Sequence, residues 1–219
     1  MQHKSDFFMF DIPNGRFMKQ SKQHILSIAF SLFLHKCFKD VTLKEIVKET
    51  GLSKGAFYHH FISKEQLFFE VVDTFYLQVM LVDYQKLNHN SLWDFYHDYI
   101  SHIQNSIRDF RRGLNTSNSN SSIDINYITL MFDAMKLFPG FKEKLIVAQN
   151  DELNAWIKIV KISREKGEFS SPMTDEQIAR MFVYSNDGIG LRLLIEGKLD
   201  NATAEMLTLW DNFYKEIKD

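Results

Sequence analysis

Glycine and proline are scarce in this chain, nine and three in 219 residues, about half their usual joint frequency. So few turn-forming and helix-breaking residues argue against an all-β protein and for long uninterrupted helices. Cysteine is scarcer still: Cys37 stands alone, which excludes an intrachain disulfide. The start Met1-Gln2-His3-Lys4-Ser5-Asp6 lacks a basic stretch followed by an apolar one, so a cytoplasmic location is expected. Long apolar runs are missing too. The segment Ile28-Ala29-Phe30-Ser31-Leu32-Phe33-Leu34 is short and amphipathic, far from the roughly 18–20 residues of a membrane span, and no membrane partner is expected. Nor is there an excess of one charge. Lysine and arginine number 26 against 28 acids, a net −2, which argues against a protein that merely coats nucleic acid.

What is present is a composition able to fold, and an uneven charge. Hydrophobic residues make up 45% and charged ones 25%, which rules out disorder for the bulk. At roughly 150 residues per domain the length permits one large domain or two modest ones. Residues 16–64 carry nine bases and three acids, +6, so the remainder sums to −8. A basic N-terminal piece on an acidic body suits a polyanionic partner, although a solvated helical face would look the same.

Periodicity then places the helices. Residues 1–18 mix apolar residues with Pro13 and Gly15 without a period and read as an N-terminal arm. Ile25, Ile28, Ala29, Leu32 and Phe33 form an amphipathic stripe ending near Cys37. Thr42-Leu43-Lys44-Glu45 has the form of a capping box, which starts a second helix at Leu43 that Gly51 can end. Ser53 can cap a short third helix reaching Phe61. Ser63-Lys64-Glu65-Gln66 opens a fourth, expected to run as a rod to about Leu87. Beyond lie expected helices at 91–112, 123–137, 141–166, 174–196 and 202–217, with the polar tract 115–122 between two of them and Gly167 and Gly197 as stops. No internal repeat is visible.

Two short capped helices joined by a tight glycine-containing turn make a helix-turn-helix pattern. In such a unit the second helix enters the major groove by its N-terminus. There Ser53 and Lys54 amides can face phosphate oxygens and Gly55 allows close approach. Gly51-Leu52-Ser53-Lys54-Gly55 also spells G-x-S-x-G, which admits a serine hydrolase acting through Ser53. That elbow, however, needs a preceding buried strand, whereas 43–50 has a helical pattern. No His-Glu-x-x-His or Cys-x-x-Cys pair is present, so no metal, cofactor or enzymatic activity is expected.

The residues themselves say more. Ile25-Leu26…Ala29…Leu32-Phe33…Phe38…Thr42-Leu43-Lys44-Glu45-Ile46…Gly51-Leu52-Ser53-Lys54-Gly55-Ala56-Phe57-Tyr58-His59-His60-Phe61…Ser63-Lys64-Glu65 closely resembles the DNA-binding head of TetR-family transcriptional regulators. The resemblance covers about 50 residues and is dense across the second and third helices. It implies an all-α protein: a three-helix head at 19–66 and a helical ligand-binding and dimerisation domain at 67–219. It further implies that Thr42, Tyr58 and Lys64 contact phosphates, with Lys44, Ser53, Lys54, Ala56 and His59 near the groove. Tyr58 could equally be a half-buried packing aromatic. Leu43, Ile46, Phe57 and Phe61 read as core. The family usually has glycine where Cys37 stands. A cysteine in a left-handed conformation there would be strained by about 1 kcal/mol, unless the turn differs.

By the same resemblance the partners are double-stranded operator DNA, a small-molecule effector and a second copy of the chain. The function implied is a repressor released from a palindromic operator by the effector. Phe95, Tyr99, His102, Met131, Met135, Trp156 and Tyr184 are candidates to line a pocket for an apolar or aromatic compound, or simply core. Ser185, Gly188, Met206, Trp210, Phe213 and Ile217 are candidates for a dimer face, with closure of the monomer's own core as the alternative. A helical ligand-binding or interaction module without DNA binding also stays open.

Overall fold

A computed structural model describes residues 17–76, 82–113 and 121–218. Among these residues the protein is all helix and turn. The elements are α1 (Phe17–Asp40), α2 (Leu43–Thr50), α3 (Lys54–Tyr58), α4 (Lys64–Val71), α5 (Leu92–Gly113), α6 (Ser121–Leu137), α7 (Pro139–Glu165), α8 (Asp175–Ile195) and α9 (Ala202–Lys218), with a π turn at Val72–Tyr76. Apart from Phe17 and Met18, which are helical, the expected arm 1–18 lies outside the described residues, as does most of the polar tract 115–122. Pro139, placed before its helix by the sequence reading, is instead the first residue of α7, where a missing N–H costs nothing.

Two compact units emerge, Met1–Val79 with Asp109–Phe138, and Met80–Arg108 with Pro139–Asp219. The cut expected at residue 66 is therefore replaced by one that returns α6 to the head. Its cause is long-range: the Asn126 amide donates to the Leu34 carbonyl at 2.8 Å, and the Cys37 thiol donates to the Asn126 carbonyl oxygen at 2.8 Å.

The first unit is built on phenylalanine. Phe33, Phe57, Phe61 and Phe68 are fully buried. Phe68 meets Phe33 edge-on with centroids 5.3 Å apart, and Phe38 lies 4.3 Å from Phe68. Arg111 and Asp124 form a buried ion pair at 2.6 Å that ties the end of α5 to the start of α6. The rod expected after Ser63 is interrupted. α4 ends at Val71 and widens into the π turn, which keeps Phe75 buried and stacked on Phe30 at 5.0 Å. One extra residue in the turn rotates the apolar face back toward α1. Beyond the residues outside description, Asp83 caps a short 3-10 turn at Tyr84–Lys86 through the Gln85 amide.

The second unit packs tryptophan and tyrosine. Trp156 of α7 is stacked on Phe182 (5.0 Å) and meets Phe95 (5.0 Å), Tyr99 (5.4 Å) and Trp210 (5.4 Å) edge-on. Their polar atoms need partners. Trp210 Nε1 donates to Ser185 Oγ at 2.8 Å, the Tyr96 hydroxyl to Asp211 at 2.7 Å and the Tyr214 hydroxyl to Glu168 at 2.8 Å. α8 opens on a complete capping box, Thr174 with Gln177. Arg164 fastens the turn before it, donating to Asp175 (2.6 Å), Ser171 O (2.9 Å) and Met173 O (2.6 Å).

Candidate nucleic-acid interface

The α2–α3 corner follows from its caps. The Glu45 amide donates to Thr42 Oγ1 at 3.2 Å, the Ala56 amide to Ser53 Oγ at 3.2 Å and the Gln66 amide to Ser63 Oγ at 3.0 Å. Two expected capping boxes are only half formed. The Glu45 carboxylate turns to Lys36, whose hydrogen bond holds its pKa below the usual value, and Gln66 Oε1 accepts from the Ile62 amide at 3.0 Å. Gly51, at φ +67°, makes the left-handed residue that ends α2, and its amide reaches the Lys48 carbonyl at 3.2 Å. α3 is shorter than expected, ending at Tyr58.

Burial sorts the corner into an inside and an outside. Ile46, Phe57 and Phe61 are fully buried. Thr42, Lys44, Ser53, Lys54, Gly55, Ala56 and His59 are exposed, and Tyr58 stands 46% exposed against the edge of Phe57, at 5.5 Å. One face thus presents two hydroxyls, two ammonium groups, an imidazole and a phenol. Thr42 and Ser53 accept from backbone amides, so their hydroxyl protons remain available to an outside acceptor. A Cβ placed on Gly55 would meet nothing within 4 Å. The hydrolase alternative finds no footing, because the G-x-S-x-G segment joins two helices and its serine is a cap.

Charge is arranged in the same sense. Lys22 pairs with Glu70 at 2.5 Å and Lys36 with Glu45. Lys39, Lys44, Lys48 and Lys54 are exposed and have no ion pair among the described residues.

Lys64 departs from the role that the resemblance implies. Its ammonium turns inward, donating to the carbonyls of Phe38 (2.8 Å), Val41 (2.9 Å) and Lys39 (3.4 Å), and sits 4.3 Å from the Phe38 ring centroid. All three protons are spent on carbonyls of the α1–α2 junction, those of Phe38 and Lys39 in the last turn of α1 and that of Val41 just beyond it. Lys64 pins the α1–α2 junction, a role that no local pattern announces.

Cys37 sits in the same junction at φ +63°, ψ 159°. This is the extended region of positive φ, beyond the left-handed well, and costs a side-chain-bearing residue about 1–3 kcal/mol. Burial, with Asp40 and Asp133 nearby, raises the thiol pKa and keeps Sγ a donor toward Asn126.

The other candidates disperse. Phe95, Tyr99 and Trp156 come together in the core of the second unit, but His102 and Tyr184 are exposed, Tyr184 lying against Arg180. Met131 and Met135 belong to α6 in the first unit. Of the proposed dimer face, Met206, Trp210 and Ile217 are buried in the second unit's own core, Ser185 holds Trp210, and Phe213 packs at 5.4 Å from Phe182. The heptad-like run on α9 faced inward because Trp156 and Phe182 offered it more apolar contact than water does. Gly188 alone of that set is fully outward, in a stripe that the sequence reading missed: Met181, Tyr184, Leu191 and Ile195 of α8, all exposed, with Leu209 of α9. Spacing of three, seven, ten and fourteen puts the α8 members on one helical face.

Comparison with known proteins gives this geometry a context. Residues 25–71 match the family of bacterial regulatory proteins described as tetR. The chain is 23% identical over 180 residues to YfiR, an uncharacterized HTH-type transcriptional regulator of Bacillus subtilis (strain 168), spanning 78% of this chain and 82% of that one. A second Bacillus subtilis regulator, YerO, is 48% identical over 50 residues, covering 23% of this chain and 17% of its own length. Among solved structures, a putative transcriptional regulator from Saccharomonospora viridis in complex with choline superimposes with a TM-score of 0.65 at 12% identity, over 88% of this chain and 96% of that one.

Proposed function

We propose, for a chain that belongs through residues 25–71 to the tetR family of bacterial regulatory proteins, that it is a ligand-responsive repressor that binds operator DNA by its α2–α3 corner. The observation that carries the reading is the outward face of that corner. Lys44, Lys54, Tyr58 and His59 stand exposed around Gly55, beside which the head leaves open space. A third helix entering the major groove by its N-terminus would bring Ser53, Lys54 and Ala56 toward base edges and leave Thr42 and Tyr58 at the phosphates. The chain would work where the DNA is, in the cytoplasm, and no catalytic role is assigned to it. Among the described residues no helix is long and apolar enough to cross a membrane.

The remaining partners follow as parts of the same proposal. The exposed α8 stripe with Leu209 is the face for a second copy. Two heads related by a two-fold axis would read a nearly palindromic operator. The effector is a small molecule, apolar or aromatic in its main part, addressed to the rings of Phe95, Tyr99 and Trp156. The Tyr84 and Tyr99 hydroxyls turned to Glu152, with Asn186 on Tyr99 at 3.3 Å, are the polar handles nearby. That the structural neighbour from Saccharomonospora viridis holds choline supports a small organic ligand.

Fluorescence anisotropy of the purified chain on its own upstream intergenic DNA and on a scrambled duplex, across a salt series, tests the central claim. The expected result is preferential binding to the native fragment. Log K should fall by about 0.9 per phosphate contact per decade of salt, and Lys54→Ala should lower both affinity and slope. Equal, negligible binding to this fragment and to unrelated genomic fragments, by a folded dimer, would overturn it in favour of a helical module that does not bind DNA.

A further inference from the structure

On the second unit a cleft of about 400 Å³ opens between the start of α5 and the end of α9, lined by Trp93, Tyr96, Asp211, Tyr214, Lys215 and Lys218. Its size falls within the roughly 300–1,000 Å³ typical of small-molecule sites. Aromatic rings make up half of its lining residues. Trp93 is 45% exposed although its indole stacks on His97 with centroids 3.7 Å apart. Tyr96 lies 6.4 Å from Trp93, edge to face.

The polar groups divide by what they have left to give. Asp211 accepts from the Tyr96 hydroxyl at 2.7 Å and lies 3.5 Å from His97 Nε2. Glu168, behind Tyr214, accepts from that hydroxyl and from the amides of Leu92 (2.9 Å) and Trp93 (3.2 Å). Both carboxylates are therefore occupied by donors of the protein itself. Lys215 and Lys218 are exposed at the rim, and neither ammonium has an ion pair among the described residues, Lys218 resting 5.8 Å from the Tyr214 ring. With one carboxylate and two ammonium groups the lining carries +1. The unspent chemistry is an open indole and two cations a turn apart, which match a flat ring and an anionic group.

We propose that this cleft binds a planar aromatic anion, its ring on Trp93 and its carboxylate or phosphate on Lys215 and Lys218. The site lies on the surface of the second unit, apart from the rings assigned to the effector, and stands or falls independently of DNA binding.

The test uses the full chain labelled with 5-fluorotryptophan, whose three tryptophans, 93, 156 and 210, give three fluorine signals assigned through Trp93→Phe. The probes are 2-naphthoate, 2-naphthyl phosphate and the uncharged 2-naphthamide. At least one of the two acids should shift the Trp93 signal saturably, and which one binds tighter identifies the anionic group. The amide, and either acid on Lys215→Gln/Lys218→Gln, should bind about tenfold more weakly. Trp93 and both lysines are exposed, so these variants keep the fold, checked by an unchanged melting temperature. An unmoved Trp93 signal overturns the proposal. So do equal affinities for acid and amide, equal affinities in the double variant, or shifts confined to the buried Trp156 and Trp210.

Discussion

The two units bury their aromatic residues in different ways. Among the described residues of the first unit the buried aromatics are all phenylalanine, Phe30, Phe33, Phe38, Phe57, Phe61, Phe68 and Phe75, which ask nothing of their surroundings beyond contact. In the second they include Trp156 and also Tyr96, Tyr99, Tyr214 and Trp210, and the hydroxyls of these three tyrosines and the ring nitrogen of Trp210 engage Asp211, Glu152, Glu168 and Ser185. The head thereby keeps much of its polar chemistry on the surface, free for an outside partner. The first unit pairs its buried Asp124 with Arg111, whereas the second turns the part-buried Glu152, Glu168 and Asp211 toward its own tyrosines, which makes its stability answer to pH.

The strongest way to break this contrast is Trp156→Ala. Deleting a fully buried ring that touches four others should cost about 3–5 kcal/mol, seen by chemical denaturation as early loss of the second unit's structure. Next comes Lys64→Met, which leaves α1 carbonyls without their donor. Charge-assisted hydrogen bonds being worth about 1.5–3 kcal/mol, it should lower the stability of the head by about 2 kcal/mol. Lys54→Ala should leave the melting temperature unchanged and reduce the salt slope by about 0.9. If the two lysines behaved alike, the division between a pin and a contact would be wrong.

Smaller effects sharpen the acid contrast. Burial works against the Glu168 charge, but bonds from Ser163, the Leu92 amide, Tyr214 and the Trp93 amide outweigh it and hold its pKa below the ordinary 4.5. Its contribution is then present above that value and lost as pH falls through the lower folded one. Melting temperature should drop on acidification below pH 4.5, and Glu168→Gln should flatten that drop. Glu152 has the opposite sign. Burial raises its pKa, against the bonds from Tyr84 and Tyr99, and Asp187 adds to the rise. The contribution of Glu152 is present at low pH and lost as pH rises through the raised value, so Glu152→Gln should raise the melting temperature more at pH 8 than at pH 4.5. Smallest of all is Cys37→Gly. Relief of about 1–3 kcal/mol of backbone strain is offset by glycine's entropy and a lost hydrogen bond, for a net change within about 1 kcal/mol.

How much of this could be read from the chain follows the range of the interactions. The caps at Thr42, Ser53, Ser63 and Thr174 were legible, as were the stops at Gly51, Gly167 and Gly197, because each is decided within four residues. The inward Ile46, Phe57 and Phe61 and the outward Lys54 were legible too, since a short capped helix fixes its own phase. The inward turn of Lys64 was not, because its acceptors lie 23 to 26 residues away. Trp210 and Ile217 defeated the reading for a related reason. An amphipathic stripe announces that it will be covered without saying by what, and α8's glycines drew attention away from the larger exposed residues around them. The interruption after Val71 was hidden in an unbroken helical phase, and the return of α6 to the head rests on side chains roughly ninety residues apart in sequence, |i−j| being 89 and 92.

With glycine at position 37 the bend at the end of α1 would stand unaided. With cysteine it leans on a side chain 89 residues downstream. Positions 37 and 126 are accordingly a suppressor pair. Damage from Asn126→Ala should be repaired in part by Cys37→Gly, which removes the strained side chain but does not restore the bond to the Leu34 carbonyl.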